Sequence, residues 1–340
     1  MTKVPEYKQL PEKISPQWYL LMKRLTKANE TKAFKAIQKQ CIASDQENNI
    51  LPCELGDPLG AHWYTVTPRL IHQYKNRALL LTTGMCFSYC RYCFRRSYTA
   101  EREGFITEQE LLDVCDYLRQ HDEIEEILLS GGDPLTGTDD MLEHLFIKIR
   151  EARPQIIIRL GTRAPVYAPE RFTDEFITLC KNYRPLWIIP HINHPTEISA
   201  EFSPEVRDVL SKIVDSGIGI QTQTVLLQGV NDDVSVLKNL FHDLTVLGIR
   251  PGYLFQGDLA PGTSHFRVFL EKGVILYNEL KKELSGLSTP VYAVDLPGGG
   301  GKINLLQLNS NLLDVSVDKT ESAYRFTDKA GHTWEYPLET

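Results

Sequence analysis

From Ala78 onward the chain alternates short apolar runs with longer stretches in which apolar residues return every three or four positions. The short runs, at 78–83, 125–130, 156–161, 186–190, 218–226 and 250–256, have the length of strands. Between them, single helical faces gather Leu111, Val114 and Leu118, then Leu142, Leu145 and Ile149. Val206, Val209, Leu210 and Ile213 form a third such face, and Leu237, Leu240, Leu244 and Leu247 a fourth. Six strand–helix units in series predict an α/β fold with parallel strands and right-handed crossovers. Six fall short of the eight of a closed TIM barrel, so the expectation is an open, partial (β/α)6 barrel over residues 76–288. Loops that follow the strand C-termini should then carry the chemistry.

Residues 1–75 read differently, as an irregular and mostly helical extension. Helices are expected at Ser15-Pro-Gln-Trp-Tyr-Leu-Leu-Met-Lys-Arg-Leu25 and at Thr31-Lys-Ala-Phe-Lys-Ala-Ile37, with Ser15 and Thr31 as caps. Residues 289–340 hold the apolar run Val291-Tyr-Ala-Val-Asp295, a run of glycines and an expected hairpin around Asp328-Lys-Ala-Gly331.

Composition narrows the class. The 340 residues are 42% hydrophobic, enough for a full-sized core, and the net charge of −7 comes with no basic stripe, so nucleic acid is not an expected partner. The start, Met1-Thr-Lys-Val-Pro-Glu-Tyr-Lys8, lacks an apolar h-region, and no apolar run approaches a membrane span. A soluble, cytoplasmic protein is expected. Seven irregularly spaced cysteines argue against a disulfide framework and agree with a reducing compartment. Cys115 and Cys180 fall on apolar helix faces, where packing is their expected role.

The loop after the first strand reads Gly84-Met-Cys-Phe-Ser-Tyr-Cys-Arg-Tyr-Cys-Phe-Arg-Arg96, placing Cys86, Cys90 and Cys93 in a C-x3-C-x2-C spacing. Three thiolates on one loop can hold three irons of a four-iron four-sulfur cluster. The motif has no fourth ligand, so one iron keeps an open position, as catalytic metal sites do. The alternatives are a structural zinc or three unrelated thiols. Zinc usually takes four ligands in two close pairs, and the chain has no second pair. After the second strand, the glycines of Ser130-Gly-Gly-Asp-Pro-Leu135 let a backbone come close to a ligand, although such a segment alone is also a common turn. The segment Asp295-Leu-Pro-Gly-Gly-Gly-Gly-Lys302 is not a Walker A loop, because Leu296 replaces the first glycine and Ile303 follows the lysine. Its glycines can fold around a flat cofactor, and a desolvated lysine amine can form a Schiff base. A flexible linker with a solvated lysine is the plainer alternative.

The cysteine loop resembles that of radical S-adenosylmethionine (SAM) enzymes, in which the open iron chelates SAM. With the glycine–lysine segment in the same chain, the resemblance narrows to the lysine 2,3-aminomutase family. That family joins the cluster to pyridoxal phosphate (PLP) held by the lysine of a Pro-Gly-Gly-Gly-Gly-Lys segment, which Pro297 to Lys302 match residue for residue. The resemblance implies a radical SAM barrel in which Cys86, Cys90 and Cys93 hold the cluster. Ser130, Gly131, Gly132 and Asp133 would bind SAM, and Gln223 and His194 would face the cavity to assist. Lys302 would hold PLP and Arg77 its phosphate, with Gln73 standing where a second arginine is expected. Arg95 would pair with the substrate carboxylate through its bidentate fork. Asp258 and Asp295 would grip the distal ammonium of lysine, since a buried ammonium needs counter-charges.

The reaction so implied interconverts L-α-lysine and β-lysine. A 5′-deoxyadenosyl radical takes hydrogen from C3 of the PLP-bound substrate, and nitrogen moves to that carbon. The cofactors carry this chemistry while the protein orients and shields. A flavodoxin or ferredoxin would supply the electron, and the assembly, homo-oligomer or not, is left open by the motifs. Longer family members carry a cysteine-containing, zinc-binding tail; no cysteine follows Cys180, so no zinc is expected. Competing readings are an aminomutase for another amino acid, a source of β-lysine for translation-factor modification, a radical SAM enzyme without PLP, and a metal-binding module. A glutamate-directed relative should lack the aspartate pair, because like charges repel.

Overall fold

The computed structural model describes residues 9–100, 104–305 and 315–338. The N-terminal segment 1–8, read above for a leader, lies outside the described residues. Helices α1 (Pro16–Lys27) and α2 (Thr31–Lys39) come first, and strands β1 (Thr65–Thr67) and β2 (Leu70–Tyr74) follow. Next come β3 (Arg77–Thr83), α3 (Glu108–Gln120), β4 (Glu126–Gly131), α4 (Asp139–Ala152) and β5 (Ile157–Thr162). The short α5 (Ala164–Tyr167) and then α6 (Asp174–Asn182) lead to β6 (Leu186–Pro190), α7 (Pro204–Asp215) and β7 (Gly219–Val225). The remainder is α8 (Val234–Val246), β8 (Arg250–Phe255), α9 (Leu270–Glu283), β9 (Val291–Leu296), β10 (Gly301–Asn304), β11 (Val315–Lys319), β12 (Ala323–Asp328) and β13 (Thr333–Pro337).

Strands β1 to β10 lie side by side in chain order, and β3 through β9 all run parallel. The six expected strand–helix units are present, forming an open barrel. A further parallel strand, β9, comes from the run Val291–Leu296 that the sequence assigned to the C-terminal segment. The extension is helical only in its first part; its second part adds β2 antiparallel to β3 and β1 antiparallel to β2. Ser15 caps α1 by accepting from the Trp18 amide. Thr31 is not a cap. Asn29 turns the chain at φ 58, which makes Glu30 the residue before the helix, without a side-chain cap bond.

Among the described residues, two large cores and a small cluster around Tyr92, Leu227 and Phe266 hold the barrel. One packs Leu80, Ile127, Leu129, Ile158 and Ile188 against Val114, Leu145, Phe146 and Phe176 of the covering helices, and Cys115 and Cys180 are buried within it. The other joins Trp18, Leu25, Leu240, Phe241, Leu254 and Tyr292 to Phe326 and Tyr336 of the C-terminal antiparallel sheet β11–β13. That sheet contains the expected hairpin at Asp328–Gly331. No helix among the described residues is long and apolar enough to cross a membrane.

The extension also fixes the cysteine loop. Arg91 donates to both carboxylate oxygens of Glu47 at 2.8 and 2.6 Å, and Arg96 donates to the same carboxylate at 2.8 Å. None of the three side chains is more than 2% exposed. Burial by itself would raise the Glu47 pKa, but the two guanidiniums overcome it and hold the group below the usual carboxylate range. Replacing Glu47 by alanine would leave two buried cations without their counter-charge. The expected loss is about 3–5 kcal/mol of unfolding free energy, measurable by urea denaturation of the protein; a loss within experimental error would show that the carboxylate is not the anchor.

Candidate active site

Strand β3 delivers the chain to the cysteine loop at the C-terminal mouth of the barrel. The segment after β4 pins the start of that loop: the Gly132 amide donates to Thr83 O at 2.6 Å and the Asp133 amide to Met85 O at 2.7 Å. A side-chain carbon at Gly131, where φ is +116°, would stand 2.5 Å from Thr83 O, and one at Gly132 would stand 2.1 Å from Met85 O. The room that these glycines leave is therefore taken by the cysteine loop itself. Burial pushes the Cys86 thiol well up, with Asp133, Cys93 and Cys90 adding to the shift, and burial and Cys90 raise Cys93. Three thiols that line one cavity can all reach one metal group, and a bound cation would favour their thiolate forms. The donor set fits an iron–sulfur cluster.

Cys86, Cys90, Cys93, Arg95, Ser130, Gly131, Gly132, Asp133, Arg77, Gln223, Asp258, Asp295 and Lys302 all line one cavity of about 360 Å³. Its size suits a cofactor or metabolite. Asp133 plays a part that the resemblance did not imply. Its carboxylate accepts from the Thr162 hydroxyl at 2.8 Å and from the Arg163 and Leu135 amides at 2.8 and 3.0 Å, forming a strut from β4 to β5. Ser130, Asp133 and the glycine backbone all remain polar groups of this segment at the cavity. His194 is not among the cavity-lining residues: its Nδ1 accepts from the Thr196 amide, capping a short turn. His191 takes the lining position, and burial together with Arg163 pushes its pKa down to about 3, so it is neutral.

The other end of the cavity is built by the hairpin of β9 and β10. Asp295 and Lys302 are directly paired across it, with the Lys302 amine 3.9 Å from an Asp295 oxygen. The glycine run is a tight turn rather than a linker, with φ of 67°, 97° and 80° at Gly298, Gly299 and Gly301. Residues 58–74 clasp it. The Gly298 amide donates to Pro58 O at 2.9 Å, Tyr64 OH and the Gln73 amide donate to Gly299 O at 2.9 and 3.2 Å, and Lys302 N donates to Tyr74 OH at 2.9 Å. Gln73, standing at the expected arginine position, thus holds the turn. Arg77 stacks on the Tyr74 ring at 3.9 Å and leaves its guanidinium at the cavity for an anion such as a phosphate.

Charge in this end is unbalanced by design of the burial. Desolvation lowers the Lys302 pKa, against the pull of Asp295 and Asp258, which favours the neutral amine needed for a Schiff base. The amine lies 4.1 Å from the Phe255 ring and 4.6 Å from the Tyr253 ring. Burial and the neighbouring Asp295 push Asp258 up to about 8, and burial raises Asp295. Across the cavity, burial lowers the Arg95 pKa, and its guanidinium donates a hydrogen bond to the Ser130 hydroxyl at 3.1 Å. Arg96, by contrast, turns away to Glu47. The site therefore offers a cationic end, an acidic end and a reactive amine between three thiols and a hairpin. A Lys302 amine, the Arg77 guanidinium and flanking aromatic rings fit PLP.

Sequence reasoning missed Glu126 and Arg159, a pair at 2.5 Å inside the barrel, and Arg163 beside Cys90. The first two had a signal: a charge at an alternate position within an apolar strand points inward, as do Leu128, Ser130 and Gly161 on the same strands. Gly132→Ala is expected to cost about 10–100-fold in cluster affinity, since it displaces the loop bearing the ligands. Iron and sulfide assays after anaerobic reconstitution check this, and an undiminished yield would refute it.

Residues 80–239 match the model of the Radical SAM superfamily. A Treponema pallidum protein provisionally named L-lysine 2,3-aminomutase is 47% identical over 97% of this chain and 90% of its own length. The L-lysine 2,3-aminomutase of Fusobacterium nucleatum is 39% identical over 78% of this chain and 62% of its own. The glutamate 2,3-aminomutase of Clostridioides difficile is 34% identical over 74% of this chain and 58% of its own. The chain thus spans about three-fifths of the latter two proteins. From the cysteine loop at one end of the cavity to the matching relatives, these findings place the chain in the lysine 2,3-aminomutase family of radical SAM enzymes.

Proposed function

We propose that this protein is an L-lysine 2,3-aminomutase that interconverts L-α-lysine and β-lysine. One observation carries the reading: Asp258 and Asp295 share an end of the cavity, and Arg95 and the cysteine loop line the same space. When bound, the cluster with SAM supplies a carbon-centred radical, and PLP supplies the π-system through which nitrogen migrates. The chain's own residues decide what enters. Arg95, half-buried beside the Phe94 ring and hydrogen-bonded to the Ser130 hydroxyl, selects a carboxylate. The aspartate pair, each pushed toward its neutral form by burial, gains most from a second cation and so selects a distal ammonium. Together they fix both chain length and charge. Lys302, made easier to deprotonate by burial, holds PLP, and Arg77 meets its phosphate.

The protein would act in the cytoplasm, with a flavodoxin- or ferredoxin-like donor, on free lysine. A glutamate-directed reading is disfavoured because a second carboxylate would meet two aspartates. Reconstituted protein given labelled lysine, SAM, PLP and dithionite should release β-lysine; PLP binding without turnover of lysine would overturn the reading. Asp258→Asn should raise the KM for lysine by about 10-fold or more, in keeping with the about 2–5 kcal/mol that a buried charge pair costs when one partner is removed. The pH dependence has a definite sign. Asp258 must ionise to hold the ammonium and has a pKa of about 8, whereas the lysine side chain stays charged up to about pH 10.4. Lysine affinity should therefore rise from about pH 7 to pH 9 and level off in Asp258→Asn, as titration calorimetry on the PLP-loaded protein would register.

A further inference from the structure

The sulfur of Cys90 has company that its neighbours lack. Arg163 donates from Nη1 to Cys90 Sγ at 3.1 Å, and the Tyr167 hydroxyl lies 3.3 Å from the same atom. At Cys93 the nearest hydroxyl partner, Thr99, stands 3.9 Å away. Arg163 follows β5, and its amide and both terminal nitrogens are held. Its amide donates to Asp133, Nη1 also donates to Tyr92 OH, and Nη2 donates to Gln40 at 2.8 Å and to both oxygens of Glu197 at 3.2 Å. The rings of Trp18 and Tyr167 lie 5.0 and 4.6 Å from its guanidinium carbon. Both Arg163 and Glu197 are buried.

A buried ion pair of this kind contributes little net stability. What it does supply is a fixed dipole whose positive end touches one ligand sulfur and whose negative end is Glu197. We propose that Arg163, oriented by Glu197 and assisted by Tyr167, sets the reduction potential of the iron–sulfur cluster through the Cys90 sulfur. It acts as a positioning residue, not a catalytic one. The inference rests on the reading that Cys86, Cys90 and Cys93 hold a four-iron cluster.

In the step concerned, one electron leaves a reduced flavin or iron–sulfur carrier, which is thereby oxidised, and enters the cluster; no bond or proton is exchanged. Three thiolates already leave the oxidised cluster negative, and reduction adds one more unit of negative charge in a dry site. A cationic donor on a ligand sulfur stabilises the more negative state and raises the potential. The carboxylate behind the donor opposes that effect. Removing the two ends of the pair should therefore move the potential in opposite directions, which a packing defect would not do.

The experiment is a potentiometric titration followed by electron paramagnetic resonance, on anaerobically reconstituted full-length protein whose iron and sulfide have been counted. Arg163→Met and the near-isosteric Tyr167→Phe should shift the midpoint to more negative values, and Glu197→Gln to more positive ones. For Arg163→Met the reduced-to-oxidised ratio at fixed potential should fall about tenfold, equivalent to about 59 mV for one electron. Should Arg163→Met fail to fold, Tyr167→Phe and Glu197→Gln still decide the question by the sign of their shifts. Parent-like potentials in variants with full clusters, or shifts of the same sign at both ends of the pair, overturn the inference. A parent protein that assembles no cluster overturns the underlying reading instead.

Discussion

Glu47 sits out of reach of water between Arg91 and Arg96, and both guanidiniums belong to the loop of three cysteines. That loop has neither helix nor strand to set its course. Its path is dictated by where these two cations can be neutralised, with the Arg91 amide reaching Gln40 O and the Tyr89 amide and Ser88 hydroxyl reaching Lys13 O. The N-terminal extension is thus the mould in which the metal-binding loop is cast. A buried carboxylate facing two guanidiniums tolerates few other geometries, because any displacement strands a charge. From the opposite side, Gly131 and Gly132 admit the same loop at distances that no side chain would allow.

The same economy appears at the far end of the cavity. An open sheet leaves two edges, here β1 and β10, and the chain closes the gap with side chains instead of strand pairing. Tyr64, Gln73 and Tyr74 meet the glycine turn, and Gly60 approaches Gly298 so closely that a Cβ there would stand 2.5 Å from its carbonyl carbon. Closing the barrel in this way positions Lys302 beside Asp295, with aromatic faces beneath the amine. Desolvation then acts on every charge at once, lowering Lys302 and Arg95 and raising the two aspartates. Each of these groups would gain from an opposite charge brought into the cavity.

Between these ends, the roof of the barrel is tied together by β5. Thr162 and the Arg163 amide hold the Asp133 carboxylate, while the Arg163 side chain crosses to Cys90 and Glu197. The loops after β3, β4 and β5 are therefore mechanically and electrostatically one unit. The cysteine loop, the cavity and the extension meet in it.

Local periodicity and spacing were sufficient for much of this. The alternation of strand and helix, the Ser15 cap and the cysteine loop after the first barrel strand all follow from neighbours close in sequence, where backbone geometry leaves few choices, whereas the glycine run before Lys302 read locally as a linker just as well. Partners distant in sequence were another matter. Nothing in Val291–Leu296 alone says that it pairs with β8 as a seventh parallel strand, nothing in Gly-Gly-Asp says that Asp133 bonds to Thr162, and two histidines three apart do not reveal that His191 reaches the cavity while His194 caps a turn. Nothing in the sequence pairs Arg91 and Arg96 with Glu47, or Arg163 with Glu197, until the fold buries them together. The sequence determined the elements and the chemical inventory because those depend on local sterics and residue type. Only the tertiary structure decided which charges face one another, because burial and Coulomb energy depend on distances in space that the order of residues does not encode.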